Sequence, residues 1–258
     1  MRISTSTRLA FAAALLVGCG SVPLSAWAQS SPLALVSAEV TTDQRERGLS
    51  WSDAKPAASL AVRVPATDRL TVDVEALTTR DSVRHGGANF AVTAAPRYAL
   101  TRSAVNVGVG AKAHAFMGRT GSGKAALNYI ELTSDLDYTF GPVRLGLGAA
   151  YVPSQAAIGG DNLYFSGNLE GGIPGTPFTV FGGLGYTTGD DGKVRSTRLR
   201  PGGDYSDHHV GVEYRQSILA VGLRYSDTSI RKRDVDFANP YADRHYGARL
   251  AAYVRLTP

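Results

Sequence analysis

Beyond residue 30 the chain shows no helical periodicity of useful length, and apolar and polar residues alternate with a period of two over many short stretches. Val105, Val107, Val109, Ala111 and Ala113 are interleaved with Asn106, Gly108, Gly110, Lys112 and His114. Leu70, Val72, Val74 and Ala76 alternate with Thr71, Asp73 and Glu75, and Ile130, Leu132, Leu136 and Tyr138 with Glu131, Thr133, Asp135 and Asp137. Val143, Leu145, Leu147, Ala149 and Tyr151 enclose Arg144, Gly146 and Gly148. Val210, Val212 and Tyr214 oppose His209, Glu213 and Arg215, and Leu219, Val221, Leu223 and Tyr225 oppose Gly222 and Arg224. The last stretch sets Ala248, Leu250, Ala252, Val254 and Leu256 against Arg249, Tyr253 and Arg255. Successive side chains of a strand point to opposite faces, so each stretch predicts a strand with one apolar and one polar face.

Twelve strands are predicted, over 33–47, 56–64, 69–79, 88–98, 103–116, 127–140, 142–152, 162–172, 177–187, 207–216, 218–228 and 244–256. Most run about ten residues, the length a tilted strand needs to cross a membrane. Short turns fall at Pro65-Ala66-Thr67-Asp68, Leu100 to Arg102, Gly141-Pro142, Pro174-Gly175-Thr176 and Gln216-Ser217. Long polar loops fall near 48–55, 80–87, 117–126, 153–161, 188–206 and 229–243, so that short and long alternate without exception. Outer-membrane barrels sort their connections in this way, with short periplasmic turns and long external loops. In lipid every strand edge must be hydrogen-bonded, so a spanning sheet has to close on itself. The expected fold is all-β: a transmembrane antiparallel up-and-down barrel of about twelve strands. Tyr98, Tyr138, Phe140, Tyr151, Phe178, Tyr186 and Tyr225 stand near predicted strand ends, where interfacial aromatics belong.

Composition agrees with this reading. The chain is 43% hydrophobic, as expected where lipid-facing and lumen-facing residues alternate, and it carries 29 Gly and 12 Tyr. The first 28 residues read as a cleaved signal peptide: Arg2 and Arg8 precede an apolar run from Leu9 to Gly18, too short to span a bilayer as a helix, and Ala26-Trp27-Ala28 offers a cleavage site. Leu16-Val17-Gly18-Cys19 is a competing lipobox; cleavage after Ala28 removes the single Cys. The expected organisation is a signal peptide over 1–28 and one barrel domain over 29–258, in the outer membrane of a Gram-negative bacterium. Lys and Arg number 27 against 22 acidic residues; without Arg2 and Arg8 the count is 25 against 22, a net of +3. Those charges are dispersed, which argues against a nucleic-acid partner.

With the apolar registers in lipid, the opposite registers face the lumen. They carry Arg63, Asp73, Glu75, Arg97, Lys112, Glu131, Asp135, Arg144, Glu170, Glu213, Arg215, Arg224, Arg249 and Arg255, the candidate pore-lining residues, together with Glu39, Arg45, Arg47 and Asp137. Opposed charges suit either a water-filled pore that orients small solutes or a lumen closed by ion pairs. Gly108, Gly110, Gly146, Gly148, Gly183 and Gly185 on the inward face leave space and favour a narrow pore.

Other chemistry is weakly signalled. Gly118 to Lys124 has the spacing of a phosphate loop, but Ala125 replaces the required Ser or Thr, and a strand rather than a helix follows. Asp207-His208-His209 suggests a metal or hydrolytic site, yet adjacent strand residues face opposite ways. No further His or Cys supplies a metal spacing. No catalytic, metal or cofactor residue is therefore expected. Arg231-Lys232-Arg233, in an external loop, is a candidate contact for lipopolysaccharide phosphates.

Thr41-Thr42-Asp43-Gln44-Arg45-Glu46-Arg47-Gly48-Leu49-Ser50, followed by Asp53, Lys55 and Pro56, resembles the opening signature of the TorF family of porin-type proteins, also catalogued as a bacterial family of unknown function. The signature residues are Arg47, Gly48, Ser50, Lys55 and Pro56, and the similarity is sharp over about twenty residues. The resemblance implies an exported outer-membrane barrel of porin function and carries over no catalytic or ligand residue. Two features depart from it: Glu46 stands where an aromatic usually precedes the Arg-Gly core, and Leu256-Thr257-Pro258 lacks the aromatic by which the barrel assembly machinery commonly recognises clients. The expected activity is passive diffusion of small hydrophilic solutes. The expected partners are outer-membrane lipid, lipopolysaccharide, the assembly machinery and those solutes. An outer-membrane lipid hydrolase and a closed structural or adhesive barrel are the alternatives.

Overall fold

The computed structural model describes residues 34–118, 127–190 and 193–258. The signal-peptide reading, the lipobox at Cys19 and most of the phosphate-loop-like segment lie outside the described residues. The strands are β1 (Leu35–Thr41), β2 (Arg45–Glu46), β3 (Leu49–Ser50), β4 (Ala57–Pro65), β5 (Leu70–Ser82), β6 (Ala88–Arg102), β7 (Val105–Met117), β8 (Tyr129–Phe140), β9 (Val143–Gln155), β10 (Gly160–Gly172), β11 (Phe178–Gly189), β12 (Tyr205–Gln216), β13 (Leu219–Thr228) and β14 (Arg249–Leu256). Twelve of them close into an antiparallel barrel in which each pairs with its chain neighbour and β1 closes on β14, while β2 and β3 form a separate hairpin. All twelve sequence-predicted strands are present. Closure leaves no edge unpaired, the condition that lipid imposes.

The outward register is apolar and exposed: Leu60, Val74, Val109, Leu132, Leu147, Leu184, Val210 and Leu250 all point away from the lumen. Such a surface is stable only against hydrocarbon, so the fold is that of a transmembrane barrel. Tyr98, Tyr138, Phe140 and Phe178 ring the end of the short turns, and Tyr151, Tyr186 and Tyr225 stand toward the opposite end, all exposed. That pattern matches an aromatic belt at each interface.

The connections correct the sequence reading in four places. The first predicted strand stops at Thr41, and Gln44 to Arg47 leaves the wall to build the β2–β3 hairpin, so Arg45 and Arg47 are not strand residues of the wall. The turn expected at Leu100 to Arg102 lies at Ser103-Ala104, because β6 and β7 stay paired through Arg102 and Val105. The loops expected at 80–87 and 153–161 shrink to 83–87 and 156–159, since β5 runs on to Ser82 past a register shift and β9 to Gln155. Arg80 and Asp81 take positive φ at that shift. The last strand, expected from 244, begins only at Arg249, so the loop expected at 229–243 runs on to 248, where Tyr246 turns in to pack with Leu49.

The buried core sits inside the barrel at the loop end. Trp51 from loop 1 (residues 42–56), Leu127, Ile158, Leu199 and Tyr241 from four further loops pack on Leu77, Ala88, Phe116, Tyr129 and Val152 of the wall. A second cluster joins Leu49 to Tyr205, Val235 and Tyr246. Apolar loop residues thus find cover by folding inward over the mouth, where each fully buried large side chain contributes about 1.5–3 kcal/mol.

Candidate functional site

The lumen has two parts that differ in chemistry. At the turn end a chamber of about 830 Å³ is lined by Arg63, Arg97, Asp135, Asp137, Arg144, Glu170, Glu213, Arg215, Arg224 and Arg255. A mid-barrel chamber of about 380 Å³ continues from it, sharing Arg97, Asp135, Gly148, Ser166 and Asn168, and reaches Glu46 and Arg47 of the hairpin. Beyond the hairpin lie the two apolar clusters.

The hairpin follows from its own sequence. Arg45 pairs with Ser50 and Glu46 with Leu49, leaving Arg47-Gly48 as a two-residue turn with φ of 52° and 73°. Two positive φ values in a two-residue turn are the type I′ pattern, which favours glycine. Gly48 also has no room for a side chain, since a Cβ there would lie 2.5 Å from Thr228 Cγ2 and 2.9 Å from Asp207 Cβ. Asp43 anchors the base: its carboxylate accepts from the Ser50 hydroxyl at 2.6 Å and pairs with Arg45 at 3.2 Å. Ser50 Oγ accepts from the Ala54 amide at 2.8 Å. Burial pulls the Arg45 guanidinium down, and Asp43 raises it back in part. At the tip Arg47 pairs with Glu131, its guanidinium lies 4.5 Å from the Tyr164 ring centre, and the Tyr205 hydroxyl donates to its carbonyl at 3.0 Å. Burial costs the Arg47 guanidinium its water, yet Glu131 and Glu46 raise its pKa above the usual value. Lys55 pairs with Asp53 at 2.7 Å, and Pro56 leads into β4. The signature residues are therefore the parts of one inward-folded loop.

A pair of arginines fastens the other loops above it. Arg84, in the 83–87 loop, donates to the carbonyls of Ser50 and Arg198 at 3.3 and 2.8 Å. Arg198 donates to those of Arg84, Leu127 and Ala157 at 3.0, 2.9 and 2.8 Å. Each is only 1% exposed. A guanidinium carries five donors in a fixed fork, so one side chain satisfies several loop carbonyls that have lost water. Burial pushes Arg198 down to about 10. His85 stacks on Phe116 at 4.5 Å between ring centres and tilts against Trp51 at 4.6 Å. Burial first, then Arg198 and Arg84, push its pKa well below 6.5.

The candidate lining residues divide between these parts. Arg63 grips Asp73 through two bonds of 2.7 and 3.1 Å, Arg97 pairs with Asp135, and Arg144 with Asp137 at 2.9 Å. Glu213 gathers Arg215 at 2.7 Å, the Tyr253 hydroxyl at 2.8 Å and Arg255. Glu75 lines the turn-end rim with Arg63, Asp73 and Arg255, and Glu170 lines the larger chamber. Lys112 stands 4.0 Å from both Glu46 and Glu131. Glu131 and Arg249 differ from the rest, because they are spent on the hairpin: Glu131 holds its tip, and Arg249 reaches Asp43 and the Ala54 carbonyl at 3.8 and 3.3 Å. The space expected over the inward glycines is largely occupied, with Arg97 lying over Gly108, Ser166 over Gly148, and Asn168 and His209 over Gly183.

Asp53, Asp243 and His245 meet across two loops with ligand atoms within 4.8 Å, a cluster that no sequence spacing could reveal. Its carboxylates already carry partners: Lys55 on Asp53, and the His245 ring at 2.8 Å and Arg84 at 3.6 Å on Asp243. Asp207, His208 and His209 are split between the two faces of β12, as their spacing predicts. Arg231, Lys232 and Arg233 are exposed.

A closed twelve-stranded barrel with an apolar exterior and a charged interior defines the class: a transmembrane barrel of the outer-membrane type. The chain belongs to the Gcw_chp family of bacterial proteins of unknown function, whose pattern matches residues 26–251. Its fold is similar to that of the COG4313 outer membrane channel from Pseudomonas putida F1, at 12% identity and TM-score 0.50, over 87% of this chain and 94% of that one. A membrane protein studied for in-meso crystallization gives TM-score 0.51 at 11% identity, over 87% and 83%. LpxR from Salmonella typhimurium gives 0.47 at 9% identity, over 86% and 99%. No curated protein matches the sequence.

Proposed function

We propose that this protein is a porin-type channel of the Gram-negative outer membrane, passing small hydrophilic solutes through a charged lumen whose external mouth is closed by the signature hairpin. The observation that carries this reading is the run of two connected polar chambers from the turn end to the hairpin tip. Such a lumen, walled by opposed charges, is the arrangement that selects hydrated solutes by size and sign. Conduction requires the hairpin and the loops latched to it to move as a unit. The exposed basic run at Arg231 to Arg233 offers contacts for lipopolysaccharide phosphates on the outer face.

The test is single-channel recording from the refolded, heat-modifiable protein in a planar bilayer, beside a variant lacking residues 44–53. Small or rare steps in the parent and larger, steadier steps in the deletion are expected, with a reversal potential that moves in a salt gradient. The sealed loop end favours a second reading, a closed barrel that conducts nothing. A folded deletion variant that gives no steps would establish that reading and reject the channel.

A further inference from the structure

The arginines of the turn-side chamber are unequal. Arg63, Arg97, Arg144, Arg215 and Arg255 each have a carboxylate partner. The Arg224 side chain has no hydrogen bond and no ion pair among the described residues, and its Nε is buried without an acceptor. Its guanidinium instead lies between two rings, 5.6 Å from the centre of Phe181 and 5.6 Å from that of Tyr253. The wall is shaped for this. Phe181, Gly211, Arg224 and Ala251 form one inward row across β11 to β14, so Arg224 has only small neighbours on either side. The Phe181 ring lies over Gly211 and the Tyr253 ring over Gly222, where a Cβ would overlap each ring.

We infer that Arg224, clamped between Phe181 and Tyr253, is the anion-binding residue of a subsite for small carboxylate solutes in this chamber. The local charge count supports it. Three guanidiniums, Arg215, Arg224 and Arg255, face two carboxylates, Glu39 and Glu213. Glu213 is already filled by Tyr253, Arg215 and Arg255, and Glu39 has Arg255 at 3.9 Å. One positive charge therefore remains, on the residue whose donors are unspent. A planar guanidinium presents two parallel N–H groups that match a carboxylate better than a tetrahedral anion, and stacking on rings fixes its plane in advance. Asp135, Asp137 and Glu170 on the same chamber disfavour multiply charged anions. The inference deepens the channel reading, on which it rests for solute access, by naming the class of solute.

Binding is measured without conduction, on the refolded protein in detergent, by ligand-observed NMR titration with acetate, inorganic phosphate and methylamine. Acetate should bind saturably and methylamine should not. Arg224→Gln should weaken acetate at least about tenfold, the scale of one lost charge-assisted hydrogen bond, and Arg224→Lys should fall in between. Arg69→Gln, an exposed arginine in the turn after β4, controls for net charge. Heat-modifiable migration reports that each variant is folded. Equal acetate affinity in folded wild type and Arg224→Gln, an equal loss in Arg69→Gln, or tighter phosphate than acetate binding would each overturn the inference. A conducting barrel whose acetate binding ignores Arg224 defeats the subsite alone, and Arg224-dependent binding in a barrel that never conducts defeats the channel and leaves the subsite standing.

Discussion

The two ends of this lumen use arginine in opposite ways. At the loop end Arg84 and Arg198 are buried and serve as cross-links, donating to backbone carbonyls of five segments. At the turn end Arg63 keeps 58% of its side chain exposed and meets Asp73, itself 34% exposed, in water, and Arg215 keeps 60% exposed beside the buried Glu213. Burial decides the difference. A guanidinium removed from water loses much unless neighbouring acceptors replace it, and then holds those partners strongly, whereas a hydrated pair is screened and gains little. The loop end should therefore respond to mutation as a cooperative structure, and the turn end as a tunable surface.

The largest effect is expected from Arg198→Ala. It leaves the carbonyls of Arg84, Leu127 and Ala157 without their donor and opens a hole beside Phe116 and Tyr129. The cost to the loop-end layer should be on the order of 3–5 kcal/mol. Amide exchange of the 83–87 and 196–200 segments should accelerate by at least two orders of magnitude, while strand amides at the turn end remain protected. Equal acceleration at both ends would mean that the two do not unfold independently.

Gly48→Ala comes next. The added methyl meets Thr228 Cγ2 and Asp207 Cβ, and the residue must hold φ at 73°. The combined strain is about 1–3 kcal/mol, enough to raise the open population of the hairpin roughly fivefold or more. Trypsin cleavage at Arg45 and Arg47, slow in the parent, should become rapid in the folded variant. Unchanged cleavage would show that the hairpin tip is looser than its contacts imply.

These two sites also mark where the sequence stops being readable. Strands β4 to β14 could be read because lipid outside and water inside enforce a strict period of two, as Leu145 to Tyr151 against Arg144 to Gly148 shows. The hairpin escaped because Gln44 to Arg47 prolongs the alternation of β1, and only the Arg47-Gly48 pair hints at a turn. Arg84 and Arg198 stand 114 positions apart, in segments whose composition reads as solvated loop. Their meeting is a tertiary event, as is that of Asp53 with Asp243. One signal was available: Trp51, Ile158, Leu199 and Tyr241 are large apolar residues in external loops, and such residues need cover.

The third prediction concerns pH. Trp51, Phe116, His114, Arg84 and Arg198 surround His85, and its folded pKa lies well below 6.5. The opened loops thus take up a proton that the closed ones refuse. The contribution of His85 to closure is complete above 6.5 and is lost progressively as pH falls below it. Protease sensitivity of residues 45–55 should rise between about pH 7.5 and about pH 5. His85→Phe keeps the stack on Phe116 and should flatten that dependence; an unflattened one would assign it to another group.

The smallest effect on stability is expected at Arg63 and Asp73, and there the contrast is sharpest. This pair has good two-point geometry, with bonds of 2.7 and 3.1 Å, yet it is hydrated on the turn-side wall. Asp73→Asn should change stability by no more than about 1 kcal/mol, because water replaces the lost carboxylate at little cost. On the proposed channel reading it also removes a negative charge from the path of an ion, and lumen potentials act on permeation whether or not they act on folding. In the hairpin-deleted barrel the reversal potential should shift toward anions, and high salt should erase the shift by screening. A large loss of stability with no change in selectivity would place this pair with the latches of the loop end, and the division of the lumen into a sealed half and a hydrated half would fail at its turn-end rim.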